Sequence, residues 1–188
     1  MLLTTTEIAV LRDYCLQHYL DWRTFDRNNA DEPFNRGRRS CDVALTEHAA
    51  TVFSVCNRLR THVGGDDIIV PIPAGELPHM FTVLFDDNTV ARGVQRHTDK
   101  RNDNNWLHFR INAVLQHAIS GGEPIIDSVV VNVNEGEAWS IWASESLHSA
   151  LPVKGDKPRI ALSLGYYVNP TFKDHVEKQI IDVVDYIR

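Results

Sequence analysis

Near the start of the chain, apolar positions recur in steps of three and four. Ile8, Leu11, Cys15, Tyr19 and Trp22 make one stripe of an amphipathic helix. Thr4 and Glu7 precede it at the spacing of a capping box, in which each residue satisfies a free backbone N–H of the first turn. The stripe predicts a helix ending near Trp22. Residues 23–40 are polar and rich in Arg, Asn and Asp, with Pro33 and Gly37 as breaks, and read as one long loop. Loops of that length inside a compact domain are often functional, so this one is expected to be a lid, with Arg23, Arg27, Arg36, Arg38 and Arg39 available to an anionic substrate. A second helix is expected from about Asp42, lined by Leu45, Ala49, Val52, Phe53, Cys56 and Leu59 and stopped by Gly64-Gly65.

Beyond Gly65 the period shortens to two. β-rich runs cover 68–71, 80–85, 89–96, 125–133, 138–143 and 159–168, separated by turn signals such as Asp86-Asp87-Asn88, Gly121-Gly122 and Asn134-Glu135-Gly136. The run 107–116 fits either period. Read as a strand, it puts Leu107, Phe109, Ile111, Ala113 and Leu115 on one face and His108, Arg110, Asn112, Val114 and Gln116 on the other. A final helix is expected from Asn169 as N-cap and Pro170 at the first position, with Phe172, Val176, Ile180, Val184 and Ile187 as its buried stripe. Strands without helices between them predict an antiparallel sandwich or barrel. The expected organisation is a single unit over 1–188: a helical buttress (1–65, including loop 23–40), a β core (66–168) and a C-terminal helix (169–188).

Composition narrows the function classes. With 25 Asp and Glu against 19 Lys and Arg, the formal charge of −6 argues against a general nucleic-acid partner. Cys15, Cys41 and Cys56 are odd in number and share no CxxC spacing, as expected of reduced thiols in a cytoplasmic protein. No apolar run has the length of a membrane span, and the N-terminus does not read as a leader, so no membrane partner is expected.

Of the nine histidines, two sit where chemistry would need them. In His97-Thr98-Asp99, alternation points the imidazole and the carboxylate to the same side of a strand end. His148 lies near the end of another β-rich run. Two imidazoles and a carboxylate on a barrel rim form the facial triad of a non-haem Fe(II) centre, which leaves positions open for a bidentate co-substrate and for dioxygen. Arg159, eleven residues after His148, opens a strand in which Ala161 and Ser163 share its face. A guanidinium there can hold a carboxylate bidentately, with the Ser163 hydroxyl adding a hydrogen bond.

Through His97-Thr98-Asp99, Gly121-Gly122, Gly136, His148, and Arg159 with Ser163, the stretch 83–168 resembles the Fe(II)- and 2-oxoglutarate-dependent dioxygenases built on the double-stranded β-helix. The chain looks most like their branch of aspartyl/asparaginyl and free-proline hydroxylases. The resemblance implies that His97, Asp99 and His148 ligate iron and that Arg159 pairs with the far carboxylate of 2-oxoglutarate. That branch has an Arg-x-His pair where this chain has Arg110-Ile111-Asn112. Asn112 is accordingly expected to contact 2-oxoglutarate and Arg110 to hold an anionic group of the prime substrate. The carboxylate of Asp99 favours hydroxylation over halogenation, which needs a small residue at that position. Trp106 is expected to wall the pocket mouth, and no more than one of Trp139 and Trp142 to line the pocket. His79 is expected to be structural, as are His18, His48, His62 and His175, while His117 has no assigned role. The expected substrate is a free amino acid or another small polar acid, and a homodimer is the oligomer considered. Two other readings stand beside this one: a cupin-type metalloenzyme that does not use 2-oxoglutarate, and a non-catalytic small-molecule-binding barrel.

Overall fold

A computed structural model describes residues 2–22, 37–73, 78–88 and 93–187. The first helix, α1 (Thr5–His18), is capped as its sequence demands. Glu7 N–H donates to Thr4 Oγ1 at 3.2 Å, and Thr4 N–H donates back to Glu7 Oε2 at 2.7 Å. A short 3-10 turn, Tyr19–Asp21, carries the chain to Trp22. The second helix, α2 (Ala49–Val63), ends at Gly64, whose φ of 121° is accessible to glycine and costly for other residues.

Among the described residues there are eleven strands: β1 (Arg38–Asp42), β2 (Ile69–Pro71), β3 (His79–Leu84), β4 (Val94–His97), β5 (Leu107–Gln116), β6 (Pro124–Ile126), β7 (Val129–Val130), β8 (Ala138–Ile141), β9 (His148–Ala150), β10 (Arg159–Val168) and β11 (Tyr186–Ile187); β1, β9 and β11 fall outside the runs read at period two. They form two sheets. The larger has the order β1-β3-β10-β5-β8-β11, with β2 pairing the far end of β10; the smaller has the order β4-β9-β6-β7. All pairs are antiparallel except β8 with β11.

The fold is thus mainly β with three helices. α1 and α2 cover one face of the larger sheet, where Leu11, Cys15, Val52, Val55 and Leu59 join Phe109, Ile111, Leu115, Leu162 and Tyr166 in one core. The other face looks toward the smaller sheet. A second apolar cluster lies there, made of Val114, Ile126, Val131, Val133, Trp139, Ile141, Ala143 and Ala161, and beside it opens a cavity lined from both sheets.

Four expectations need correction. Arg38–Asp42 is a strand rather than the end of a loop and the start of a helix, because it finds a partner in β3. The helix therefore begins only at Ala49, after a 3-10 turn at Val43–Leu45 that Asp42 caps through Ala44 N–H at 2.9 Å; Leu45 is exposed there. The run 125–133 is broken by a turn in which Asp127 and Ser128 both have positive φ. The C-terminal helix is short: Asn169 caps a 3-10 turn at Pro170–Phe172, α3 spans Lys173–Ile180, and Tyr186–Ile187 leave the helix to pair with β8. The rest of the expected lid loop, 23–36, and the start of the expected strand, 89–92, lie outside the described residues.

Candidate functional site

Pairing between β4 and β9 brings together a group of side chains that could hold a metal ion. His97 and His148 are direct cross-strand partners, so their rings come together with centroids 4.3 Å apart. Asp99 follows two residues after His97, and its backbone N–H is tied to Ala143 O at 2.7 Å. One potential ligand atom from each of His97, Asp99 and His148 lies within 4.8 Å of the other two, with His97 Nε2 and Asp99 Oδ1 3.5 Å apart.

Backbone carbonyls fix the tautomers. His97 Nδ1 is 2.7 Å from Gln95 O, and His148 Nδ1 is 3.0 Å from Ser146 O. A carbonyl can only accept, so each Nδ1 carries a hydrogen, and in the neutral ring this leaves the Nε2 lone pair for a metal. Burial pushes the pKa of His148 down and so favours its neutral form. For Asp99, burial pushes upward, but the surrounding cationic and imidazole groups, His108 and Arg110 first, outweigh it and hold the carboxyl below its usual value.

The cavity behind this group holds about 140 Å³ of accessible space and opens to solvent at its mouth. Its floor is the inner face of the larger sheet. Across β10, β5 and β8, Ser163, Asn112 and Trp139 stand in one cross-strand row. Arg110 reaches back from β5, with Nε 3.4 Å from Asp99 Oδ2 and Nη1 3.2 Å from Ser163 Oγ. Arg159, at the start of β10, is buried to 5% exposure, and its Nη2 is enclosed without a hydrogen-bond partner. Its guanidinium lies over the Trp139 ring at 5.1 Å. Burial lowers its pKa to about 10, with Glu123 as the opposing charge, so the group stays cationic near neutrality.

Gly122 sets the path of that side chain. With φ at +84°, it lies flat against the arginine stem, and a Cβ there would come within 2.7 Å of Arg159 Cδ. An enclosed cation with an unpaired donor is costly, and an incoming carboxylate would relieve it.

His97, Asp99, His148, Arg110, Asn112, Arg159 and Ser163 therefore meet around one cavity. Trp106 does not join them: it is half-buried ahead of β5, its N–H bonded to Asn102 Oδ1. Trp139 lines the cavity, whereas Trp142 packs against Phe109 at 4.5 Å and donates to Glu177. His79 is a core residue of β3 whose Nδ1 accepts from Gly165 N–H.

Two more residues belong to the site: Arg38, which the sequence placed in the lid loop, and His108, which carried no expected role. Arg38 lines the cavity from β1. His108 is buried on the inner face of β5, with Nδ1 3.2 Å from Asp99 Oδ2, and burial together with Arg110 lowers its pKa to about 4. The polar face assigned to β5 was the available signal for His108; Arg38 was expected to reach an anionic substrate from a loop, and its place on a strand had no signal in its local pattern.

No protein-family model matches the sequence, and no curated protein matches it. Solved structures do match in shape. A Pseudomonas putida prolyl-4-hydroxylase shares 15% identity over 89% of both chains, with a TM-score of 0.54. A 2OG-Fe(II) oxygenase family oxidoreductase from Burkholderia pseudomallei shares 13% identity over 88% of this chain and 80% of that one, with a TM-score of 0.59. SnoN, a non-heme alpha-ketoglutarate-dependent epimerase from nogalamycin biosynthesis, shares 12% over 89% and 76%, with a TM-score of 0.60. The chain has the fold seen in 2-oxoglutarate/Fe(II) oxygenase structures.

Proposed function

We propose that the chain is an Fe(II)- and 2-oxoglutarate-dependent oxygenase on a double-stranded β-helix, hydroxylating a small polar or anionic molecule such as a free amino acid. The observation that carries this reading is the meeting, in one cavity, of a two-imidazole, one-carboxylate group with a buried guanidinium that has an enclosed donor to spare.

The residues fit the proposed ligands. His97 and His148 would offer their Nε2 atoms and Asp99 a carboxylate oxygen, a donor set suited to a divalent iron with coordination positions left open. When bound, iron and 2-oxoglutarate would supply the oxidising chemistry for which side chains have no equivalent. The chain's own residues bind, orient and exclude. Arg159 and the Ser163 hydroxyl would take the far carboxylate of 2-oxoglutarate, Asn112 stands beside Ser163 in the same row, and Arg110 faces both Asp99 and the remaining space. Ile126, Trp139, Ile141 and Ala161 wall the cavity with apolar surface that limits water.

The enclosed Arg159 donor argues against a cupin-type metalloenzyme that does not use 2-oxoglutarate, and a non-catalytic binding barrel would form no succinate. The test is succinate formation from 2-oxoglutarate in air with added Fe(II). The wild-type chain is expected to form it slowly without substrate and faster with the right amino acid, and His148→Ala to form none. Equal succinate from both proteins would overturn the reading.

A further inference from the structure

Arg38, Arg110 and Arg159 all line the cavity, while Asp99 is the one carboxylate among its described lining residues. Register explains how the outermost strand contributes. Arg38 faces Leu84 of β3, and Leu84 faces Arg159 of β10, so two guanidiniums flank one leucine on the same face of the sheet. Their Cα atoms are two strand spacings apart, roughly 10 Å. Arg38 is thus set at a distance from the Arg159 pocket, with its own approach to the same cavity. Among the charges that act on Arg38 are Arg110, Asp99 and Arg159, all of them cavity groups.

Guanidiniums that line one cavity raise the local positive potential, which favours an anion placed among them. A guanidinium has five donors, so a contact on one side leaves an edge for a ligand on another. In the reading proposed above, on which this inference rests, Asp99 serves the metal and Arg159 serves 2-oxoglutarate. We propose that Arg38, with Arg110 beside it, forms a second oxyanion subsite that takes a carboxylate or phosphate group of the prime substrate. The substrate class is then an acid held by its anionic end, and Arg38 is the residue that selects it over a neutral analogue.

The test uses the full chain loaded with Ni(II), a redox-inert stand-in, and saturated with 2-oxoglutarate. Acetate, inorganic phosphate and uncharged acetamide are titrated separately, and binding is read from thermal stabilisation. At least one of the two oxyanions is expected to stabilise saturably, the tighter one identifying the group, while acetamide does not. Arg38→Gln should weaken that binding about tenfold or more, the loss of a charge-assisted fork. Arg38→Lys, which keeps the charge without the fork, should fall in between. The affinity for 2-oxoglutarate should stay unchanged in both variants.

The inference is overturned if neither oxyanion binds, or if Arg38→Gln binds as well as the wild type. It is also overturned if Arg38→Gln loses 2-oxoglutarate, which would make Arg38 part of the co-substrate pocket. A wild-type chain that binds no 2-oxoglutarate contradicts the proposed function instead, and the oxyanion titrations repeated without it still decide the role of Arg38.

Discussion

Leu107, Phe109 and Ile111 of β5 are buried in the core shared with the helices, while the residues between and after them, His108, Arg110 and Asn112, are turned toward Asp99 and the cavity. One strand thereby serves two environments. Its outer face is dry and featureless, and packing decides which residues it accepts. Its inner face is polar from His108 to Asn112, with His108 3.2 Å and Arg110 3.4 Å from Asp99. Stability and chemistry are separable here because the pleat sends adjacent side chains to opposite sides of the sheet. Damage to one face should leave the other intact as long as the chain folds.

The largest expected effect is on the outer face. Phe109→Ala removes a fully buried ring that packs against Trp142, and should cost about 3–5 kcal/mol in denaturant unfolding. The fraction that remains folded should still bind metal; simultaneous loss of metal affinity would show that the faces are coupled.

On the inner face, His148→Ala should lower Ni(II) or Fe(II) affinity by about 100-fold or more, since even outer partners of a metal ligand are worth up to about that much. The midpoint of unfolding should shift little, because His148 is only partly buried. Next, Arg159→Gln should raise the 2-oxoglutarate dissociation constant by about 10- to 100-fold, the span of one or two charge-assisted hydrogen bonds. It should leave stability near the wild-type value, because an enclosed cation is a poor source of it. Metal affinity without co-substrate should be unchanged, which separates the two halves of the site.

The smallest effect is expected farthest away. Thr4→Ala removes the α1 cap and should cost about 1 kcal/mol, visible as a drop of roughly 2–4 °C in Tm with no change in either ligand affinity.

The same division explains what could be read from the chain. The pair His97 and Asp99, the face shared by Arg159, Ala161 and Ser163, and the alternation in β5 are local patterns, which the pleat converts directly into direction, and His148 stood out by its place near the end of a β-rich run. Arg38 is different. Its strand exists because Arg38–Asp42 pairs with residues 80–84, far along the chain, and a polar edge strand shows little of that in its own composition. The two-residue strand β11 is likewise defined by β8, and the end of α3 could not be placed from an apolar stripe that continues through Val184. Trp106 failed as a wall of the pocket for a related reason. It precedes the strand, so alternation gives it no direction, and Asn102 holds its backbone instead.

The account's central claim is that one cavity holds a metal through His97, Asp99 and His148 and a 2-oxoglutarate carboxylate through Arg159. Anaerobic titration with Fe(II) and then 2-oxoglutarate, followed by visible absorption, tests it most directly. The account predicts a weak charge-transfer band that saturates at one equivalent of each, is absent in His148→Ala, and needs far more 2-oxoglutarate to appear in Arg159→Gln. A wild-type chain that shows no band, or an Arg159→Gln chain that saturates at the wild-type concentration, would contradict it.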